Sequence, residues 1–523
     1  MLKNIKKKTN LIFLIFVILI SLQSIFGLIH QGFPLTDDGN WMIIRFSAFY
    51  EALRSGEFPV RFLTRLNNGF GYPVSNFLYP LFMYLGSPIH VLGINFVDTI
   101  KIILVSSLIF SSIFTFFWLR KIFDNIASFV GSILYVLFPY HLYDVYKRGS
   151  VGEVLALTIV PFVLWQVERK SILLTSIGIS LLVLSHNTLA LLFIPLIFVY
   201  SLLKDKGLFK FILLAIFFGI GMSSFFWIPA IYDTRFTVFS KTKVSEYYNY
   251  FINLNNFDVL GTVSVVLIFS SLMLLLINKK TNKNKLFLFS TITSFLILFL
   301  VTPVSNILWQ VFPITNLIQF PFRLLSILMI ILTFQVGFLI SNLNKVYKTV
   351  VVFIFLALIF ISAKPHLSVN NYQYYPDSFY STNMDTTTVK NEYMPRWVKE
   401  KNLKFTPQRV ENLNGEEKIN VAKVSPREIV FNTFLTEERT LQINLVYFPG
   451  WNAYVNGIKD KINYENDGLI KLNLQKGQNN VKVVFEETNM RILSDFLSII
   501  SIAGLLILVF SIRAKKFKYE IYK

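Results

Sequence analysis

Runs of apolar residues broken by short polar connectors dominate the chain, and their length and period predict helices. Runs of spanning length or close to it recur at residues 11–29, 99–119, 126–144, 152–167, 171–185, 188–203, 209–230, 257–277, 286–302, 322–341, 347–363 and 491–512. At about 1.5 Å per residue, roughly 20 such residues cover the hydrocarbon core of a bilayer. The first run follows "MLKNIKKKTN", which carries the charge of a signal sequence, but no small-residue cleavage site comes after it. It therefore reads as an uncleaved anchor with its N-terminus in the cytoplasm. A thirteenth run, "SNFLYPLFMYLGSPIHVLG" (75–93), decides the topology. If it spanned, the basic loops at Arg120–Lys121, 168–170, 204–210 and 278–285 would all lie outside, against the positive-inside rule. Laid along the membrane surface, as Pro80 and Pro88 favour, it returns them to the cytoplasm. The expectation is twelve spans with both ends inside.

Two large segments then face outward, residues 30–98 and 364–490. In the second the period changes from helical to alternating: "EIVFNTF", "TLQINLVY", "LIKLNL" and "NVKVVFEE" are separated by turns such as "NDG" and "QKGQNN". This predicts a small antiparallel β-sandwich. The expected division is a transmembrane domain over 1–363, an extracytoplasmic β-rich domain over 364–490, and a last span with a basic tail over 491–523. The fold class expected is a polytopic α-helical membrane protein with that C-terminal β domain.

Composition sharpens the class. A mean hydropathy of +0.55, with 54% hydrophobic and 15% charged residues in 523, is that of an integral membrane protein. The net charge of +20 sits in connectors, without the aromatic-interleaved basic patch of a nucleic-acid binder. The absence of cysteine excludes disulfides, thiolate nucleophiles and Cys-ligated zinc.

Unusual polar motifs fall on the side expected to face outward: "FPYHLYDVYKRGSVGE" (138–153) between the third and fourth spans, "SHN" (185–187), "FWIPAIYD" (226–233) and "FPFR" (320–323). In "PLTDDGNWMIIRFSAFYEALRSG" (34–56), a helix starting near Asn40 carries a polar stripe of Asn40, Ser47, Glu51, Arg54 and Ser55. Asp38 and Arg45 fall on the opposite face, with Trp41, Met42, Phe49 and Ala52. One reading is that Asp38 caps this helix. The other is that Asp38, or Asp37 beside it, is a catalytic base with Arg45 as a phosphate clamp. Transfer from a lipid phosphate sugar needs a carboxylate to take a proton from a hydroxyl and cations to hold the departing phosphate. Arg45, Arg61, Lys147, Arg148 and Arg323 are the cations expected near the outer surface, with lipid headgroup contact as their alternative role. Glu153 is placed to pair with Arg148, and His186 to serve as a hydrogen-bonded structural group or a base. His141 and Asp144 have a spacing that would suit a divalent metal ion on a helix, with no further ligand nearby.

These motifs, in their order and spacing, resemble bacterial multispanning proteins described as 6-pyruvoyl-tetrahydropterin synthase-related membrane proteins. They are "TDDGNWMIIRFSAFYEALRSGEFPVRF", "NNGFGYPVSNFLYP", "FPYHLYDVYKRGSVGE", "LSHNTLALLFIPL", "FWIPAIYD" and "IQFPFRLLSI". "YFPGWNAYVNG" and "GLIKLNLQKGQNNVKVVFEET" resemble the outer domain of YfhO-type membrane proteins. Both groups look like the GT-C glycosyltransferase superfamily. That resemblance implies inverting transfer of a sugar from a polyprenyl-phosphate-linked donor to a cell-envelope acceptor, at the outer face of the cell membrane. It puts Asp37 or Asp38 at the position of the loop carboxylate. Many relatives carry a histidine shortly after that acid, where Trp41 and Met42 stand here. The rival expectations are a lipid or polysaccharide transporter, which nearly charge-free spans disfavour, and a non-catalytic envelope assembly protein.

Overall fold

The computed structural model describes residues 2–241, 246–278, 281–312, 318–399 and 403–521. Its helices are α1 (Thr9–Ile29), α2 (Gly39–Arg54), α3 (Leu81–Val91), α4 (Phe96–Leu119), α5 (Asn125–Arg148), α6 (Val151–Glu168), α7 (Ile172–Ser185) and α8 (Asn187–Lys204). They continue as α9 (Lys206–Met222), α10 (Ser224–Phe236), α11 (Thr262–Ile277), α12 (Lys285–Leu300), α13 (Pro303–Val311), α14 (Pro321–Ser341), α15 (Lys345–Leu367), the short α16 (Asp377–Thr382) and α17 (Asn489–Ala514). Each of the twelve apolar runs falls on these helices. Among the described residues, eight are long and apolar enough to cross a membrane, and ten if the pairs α9–α10 and α12–α13, bent by 67° and 82°, each count as one span. The other two runs form α7 and α11, of 14 and 16 residues, shorter than the roughly 20 residues a perpendicular span needs. The twelve apolar runs thus correspond to eight full-length helices, two bent pairs and two helices too short for a perpendicular span.

The deciding run forms a short helix. Helix α3 has only 11 residues, which cover about 16 Å, half the hydrocarbon core. Within the bundle, α4 packs along α5 and α6, α7 along α6 and α9, and α17 along α10. Many hydroxyls there bond back to their own helix, while Gln166, Thr175, Ser176 and Thr333 are buried without a side-chain partner among the described residues. Ser107 donates to the Ile103 carbonyl (2.7 Å) and Thr115 to that of Ser111 (2.7 Å). Buried Gln335 of α14 accepts from Ser271 of α11 (3.1 Å) and donates to Ser294 of α12 (3.3 Å), tying three helices together.

The alternating stretches form two antiparallel sheets. One has the order β4-β5-β10-β7-β8 and the other β3-β6-β9. Their strands are β3 (Val410–Asn412), β4 (Ile419–Val424), β5 (Glu428–Leu435), β6 (Arg439–Val446), β7 (Trp451–Val455), β8 (Ile458–Asp460), β9 (Leu469–Leu474) and β10 (Gly477–Phe485). Ile429, Phe431 and Leu435, on one face of β5, are buried with Leu441 and Ile443 of β6 and Ile470 and Leu472 of β9. Two earlier strands join the segment after α1 to the segment after α15. In β1 (Phe33–Pro34) and β2 (Tyr372–Gln373), Phe33 faces Gln373 and Pro34 faces Tyr372.

Candidate active site

The polar stripe on α2 is covered by protein at Asn40 and Ser47, while Glu51, Arg54 and Ser55 stay exposed. Asn40 accepts from the Tyr380 hydroxyl (3.0 Å), Ser47 donates to the Tyr380 carbonyl (2.6 Å), and Glu51 pairs with Arg65 (3.0 Å). On the other face Met42, Arg45, Phe49 and Ala52 are buried, while Trp41 is 37% exposed and so departs from the expected apolar face. Both faces being occupied, α2 is held in one orientation, which fixes Asp38 at its N-terminus.

The turn before α2 docks on the end of α5 through its backbone. The Asp37 amide donates to the Lys147 carbonyl (2.9 Å) and the Asp38 amide to the Arg148 carbonyl (2.8 Å). The side chains part from there. The exposed Asp37 carboxylate pairs with Lys147 (3.2 Å). Half-buried Asp38 sits at the capping position, yet makes no side-chain cap bond; the Gly39 amide bonds to the Thr36 hydroxyl instead (3.1 Å). Among the described residues its carboxylate has no hydrogen bond or ion pair. Burial raises the Asp38 carboxyl above the ordinary carboxylate range; Arg148 and then Arg45 oppose this, while Asp37 and Glu153 add to it.

Behind Asp38 lies a cluster built from the ends of four helices. The sequence places 138–153 in a connector, but here α5 stays helical to Arg148 and only Gly149 and Ser150 separate it from α6. Pro139, in a first-turn position that lacks no needed amide, allows the helix to resume after Leu137. Asp144, Arg148 and Glu153 are therefore buried. Glu153 Oε1 receives Arg148 Nη1 (2.8 Å) and Arg323 Nε and Nη2 (2.9 and 2.7 Å), with His186 Nε2 at 3.5 Å. Its Oε2 receives the Tyr140 hydroxyl (3.0 Å). Arg148 Nη1 also pairs with Asp144 (2.5 Å). Breaking one partner of such a buried pair costs about 3–5 kcal/mol, so the array is rigid.

The three arginines differ in what they have left to give. Arg323 uses its remaining Nη1 on the Ile318 carbonyl (2.9 Å) and Gln319 (2.8 Å). Arg45 is pinned by Thr387, its Nε on the hydroxyl (3.0 Å) and its Nη2 on the carbonyl, with Nη1 against Met42 sulfur (3.5 Å). Arg148 alone of the three keeps Nε and Nη2 without a hydrogen bond among the described residues, its guanidinium lying 5.3 Å from the Phe322 ring centre.

Of the residues singled out from sequence, Asp37, Asp38, Arg45, Arg148, Glu153, His186 and Arg323 gather around this point. Arg61 does not. It is buried against Glu487 (3.1 Å), Asp495 (3.4 Å) and the Phe225 carbonyl (2.8 Å), bracing α17. Beside it Glu57 accepts from the Arg61 and Phe62 amides (2.6 and 3.1 Å), and burial pushes its carboxyl up to about 7. His186 accepts the Leu189 amide (3.3 Å) as the cap of α8. His141 turns Nδ1 to the Tyr135 carbonyl (3.2 Å), and among the described residues no group of three or more His, Cys, Asp and Glu is placed to hold a metal ion. Sequence reasoning missed Tyr140, Gln319 and Thr387. Tyr140 lay within a quoted motif, but nothing local marks Thr387, whose partner is 342 residues away.

A family model described as the 6-pyruvoyl-tetrahydropterin synthase related domain of membrane proteins matches residues 76–370, more than half of the chain. The fold is similar to the apo oligosaccharyltransferase of Archaeoglobus fulgidus, at 12% identity and a TM-score of 0.47, covering 74% of this chain and 61% of that one. It is also similar to the oligosaccharyltransferase AglB of the same organism in complex with an inhibitory peptide and a dolichol-phosphate, at 11% identity and a TM-score of 0.42, covering 73% and 56%. The chain thus spans less than two thirds of either structure. No curated protein matches it.

Proposed function

The chain belongs to the 6-pyruvoyl-tetrahydropterin synthase-related membrane-protein family, and from its Asp38 cluster we propose that this member is a membrane-embedded, inverting glycosyltransferase. It moves a sugar from a polyprenyl-phosphate donor to a cell-envelope acceptor at the outer face, with both termini inside. One observation carries the reading: a half-buried carboxylate without a partner among the described residues, held by its own backbone beside a guanidinium that there has donors to spare.

In this reaction the acceptor hydroxyl gives its proton to Asp38 as its oxygen bonds to the anomeric carbon. The bond from that carbon to the phosphate oxygen breaks on the opposite side, and its electron pair leaves with the phosphate. Arg148 Nε and Nη2 receive the departing phosphate, since a charge-assisted fork matches two of its oxygens. Burial that raises the Asp38 carboxyl makes its carboxylate a stronger base than an exposed one. Asp37, already paired with Lys147, is the lesser candidate. Glu153 and Arg323 act as positioning residues that hold Arg148 in place. Arg45 anchors the covering segment at Thr387, and the β-rich region from 364 to 490 covers the site from outside.

Asp38→Asn keeps the shape and removes the base. Transfer from a polyprenyl-phosphate sugar by the purified protein is expected to fall by about 10²-fold or more, with donor binding retained. Unchanged turnover in a folded variant removes Asp38 from this role. One observation favours a non-catalytic reading: Asp144 and Glu153 already neutralise Arg148 and Arg323 within the fold. That reading expects wild-type protein to bind lipid phosphate without transfer.

A further inference from the structure

A cleft of about 300 Å³ opens well away from Asp38, between the segment after α2 and the β-sheets. That volume lies at the lower end of small-ligand pockets. Its walls come from distant parts of the chain: Glu51 and the stretch from Thr64 to Phe70, Met384, the stretch from Phe405 to Arg409, and Val424 to Pro426 with Asn444.

Two features give the cleft its chemistry. The first is charge. Arg65 is spent on Glu51 (3.0 Å) and on the Ser381 and Tyr380 carbonyls (2.6 and 3.2 Å). Arg409 bonds through Nη1 to the Asn444 carbonyl (3.0 Å) and to that of Gly69, while its Nε and Nη2 have no hydrogen bond among the described residues. Among the described residues no carboxylate lies within ion-pair distance of Arg409, and Glu51, paired with Arg65, acts on it only from further off, so the two arginines leave the cleft one positive charge in excess, with two guanidinium nitrogens of Arg409 free. The second feature is apolar: Phe405, 57% exposed, and Pro407 line the same cleft.

We infer that this cleft binds a carboxylate-bearing saccharide unit, a uronate, of the acceptor. This deepens the proposed function and rests on it. A monoanion balances the single charge, and a carboxylate's two oxygens match the Nε and Nη2 pair. The C–H face of a pyranose ring lies against Phe405, as ring faces favour aromatic surfaces. Glu51, on the cleft wall, is 13 positions along from Asp38, and α2 lies between them, so roughly 20 Å of helix separates them. The cleft is therefore a holding subsite for an extended acceptor, and is distinct from the reacting hydroxyl.

The test is ligand binding by the purified full-length protein, read by saturation-transfer NMR with no transfer assay. The probes are an oligogalacturonate, neutral maltotriose and glucose 6-phosphate. The oligogalacturonate is expected to bind best, with affinity falling tenfold or more in Arg409→Gln. Val424→Glu places a repelling charge on an exposed edge position of the cleft wall, where folding is not at stake, and is expected to give the same loss. Binding that is absent, that is equal for maltotriose, that is tighter for glucose 6-phosphate, or that survives Val424→Glu overturns the inference. Asp38→Asn is expected to leave this binding intact, so failure here and failure of the catalytic assignment are read separately.

Discussion

Two adjacent aspartates end with different chemistry because the backbone turns between them. Asp37 projects to Lys147, and Asp38 projects into the half-buried space beside Arg148, without a partner among the described residues. Asp37 also raises the Asp38 carboxyl through like-charge repulsion, so its neutralisation has a predictable sign. In Asp37→Asn the carboxyl of Asp38 moves down, and the acidic limb of the transfer pH profile moves to lower pH while the maximal rate is kept. An unshifted limb, or loss of activity as deep as in Asp38→Asn, contradicts the division of roles. The sequence made Asp38 and Arg45 neighbours through their seven-residue spacing, and the structure keeps both on one side of α2. It could not foretell that Arg45 would be consumed by Thr387, or Arg61 by Glu487 and Asp495, because those partners are brought in by tertiary packing across more than 340 positions.

At the scale of elements, the junction between α5 and α2 carries the site. Gly149, at φ +67°, ends α5, and a Cβ there would lie 2.4 Å from the Thr36 hydroxyl and 2.8 Å from the Gly39 amide. Gly149→Ala must push the aspartate turn off the Lys147 and Arg148 carbonyls. The left-handed backbone alone costs about 1 kcal/mol, and the clash adds to it. A lower unfolding temperature in detergent and a transfer rate down by tenfold or more are expected; a variant with wild-type rate would mean the turn does not position Asp38. This junction was hidden in the sequence because 138–153 reads as a connector. Its polar residues suggested a loop, whereas Asp144, Arg148 and Glu153 neutralise one another and let the helix continue.

For the whole molecule, hydrophobic length made the bundle legible and alternation made the sheets legible, since both periods are local. What local period did not reveal is the stretch between α15 and β3, which crosses over α2, pairs β2 with β1 and buries Thr387. Topology rests on the charge of the connectors, and the absence of cysteine makes it directly measurable. A membrane-impermeant maleimide on intact cells is expected to label Lys476→Cys in the turn before β10, and to label Lys206→Cys at the start of α9 only after permeabilisation. The reverse pattern would put the Asp38 cluster in the cytoplasm and end the outer-face reading.

The most direct measurement is a structure of the full-length protein with a bound polyprenyl phosphate. The phosphate is expected about 3 Å from Arg148 Nε or Nη2, with the Asp38 carboxylate facing the side from which an acceptor hydroxyl would approach. A phosphate held elsewhere in the bundle, or an Asp38 side chain turned into lipid, would contradict it.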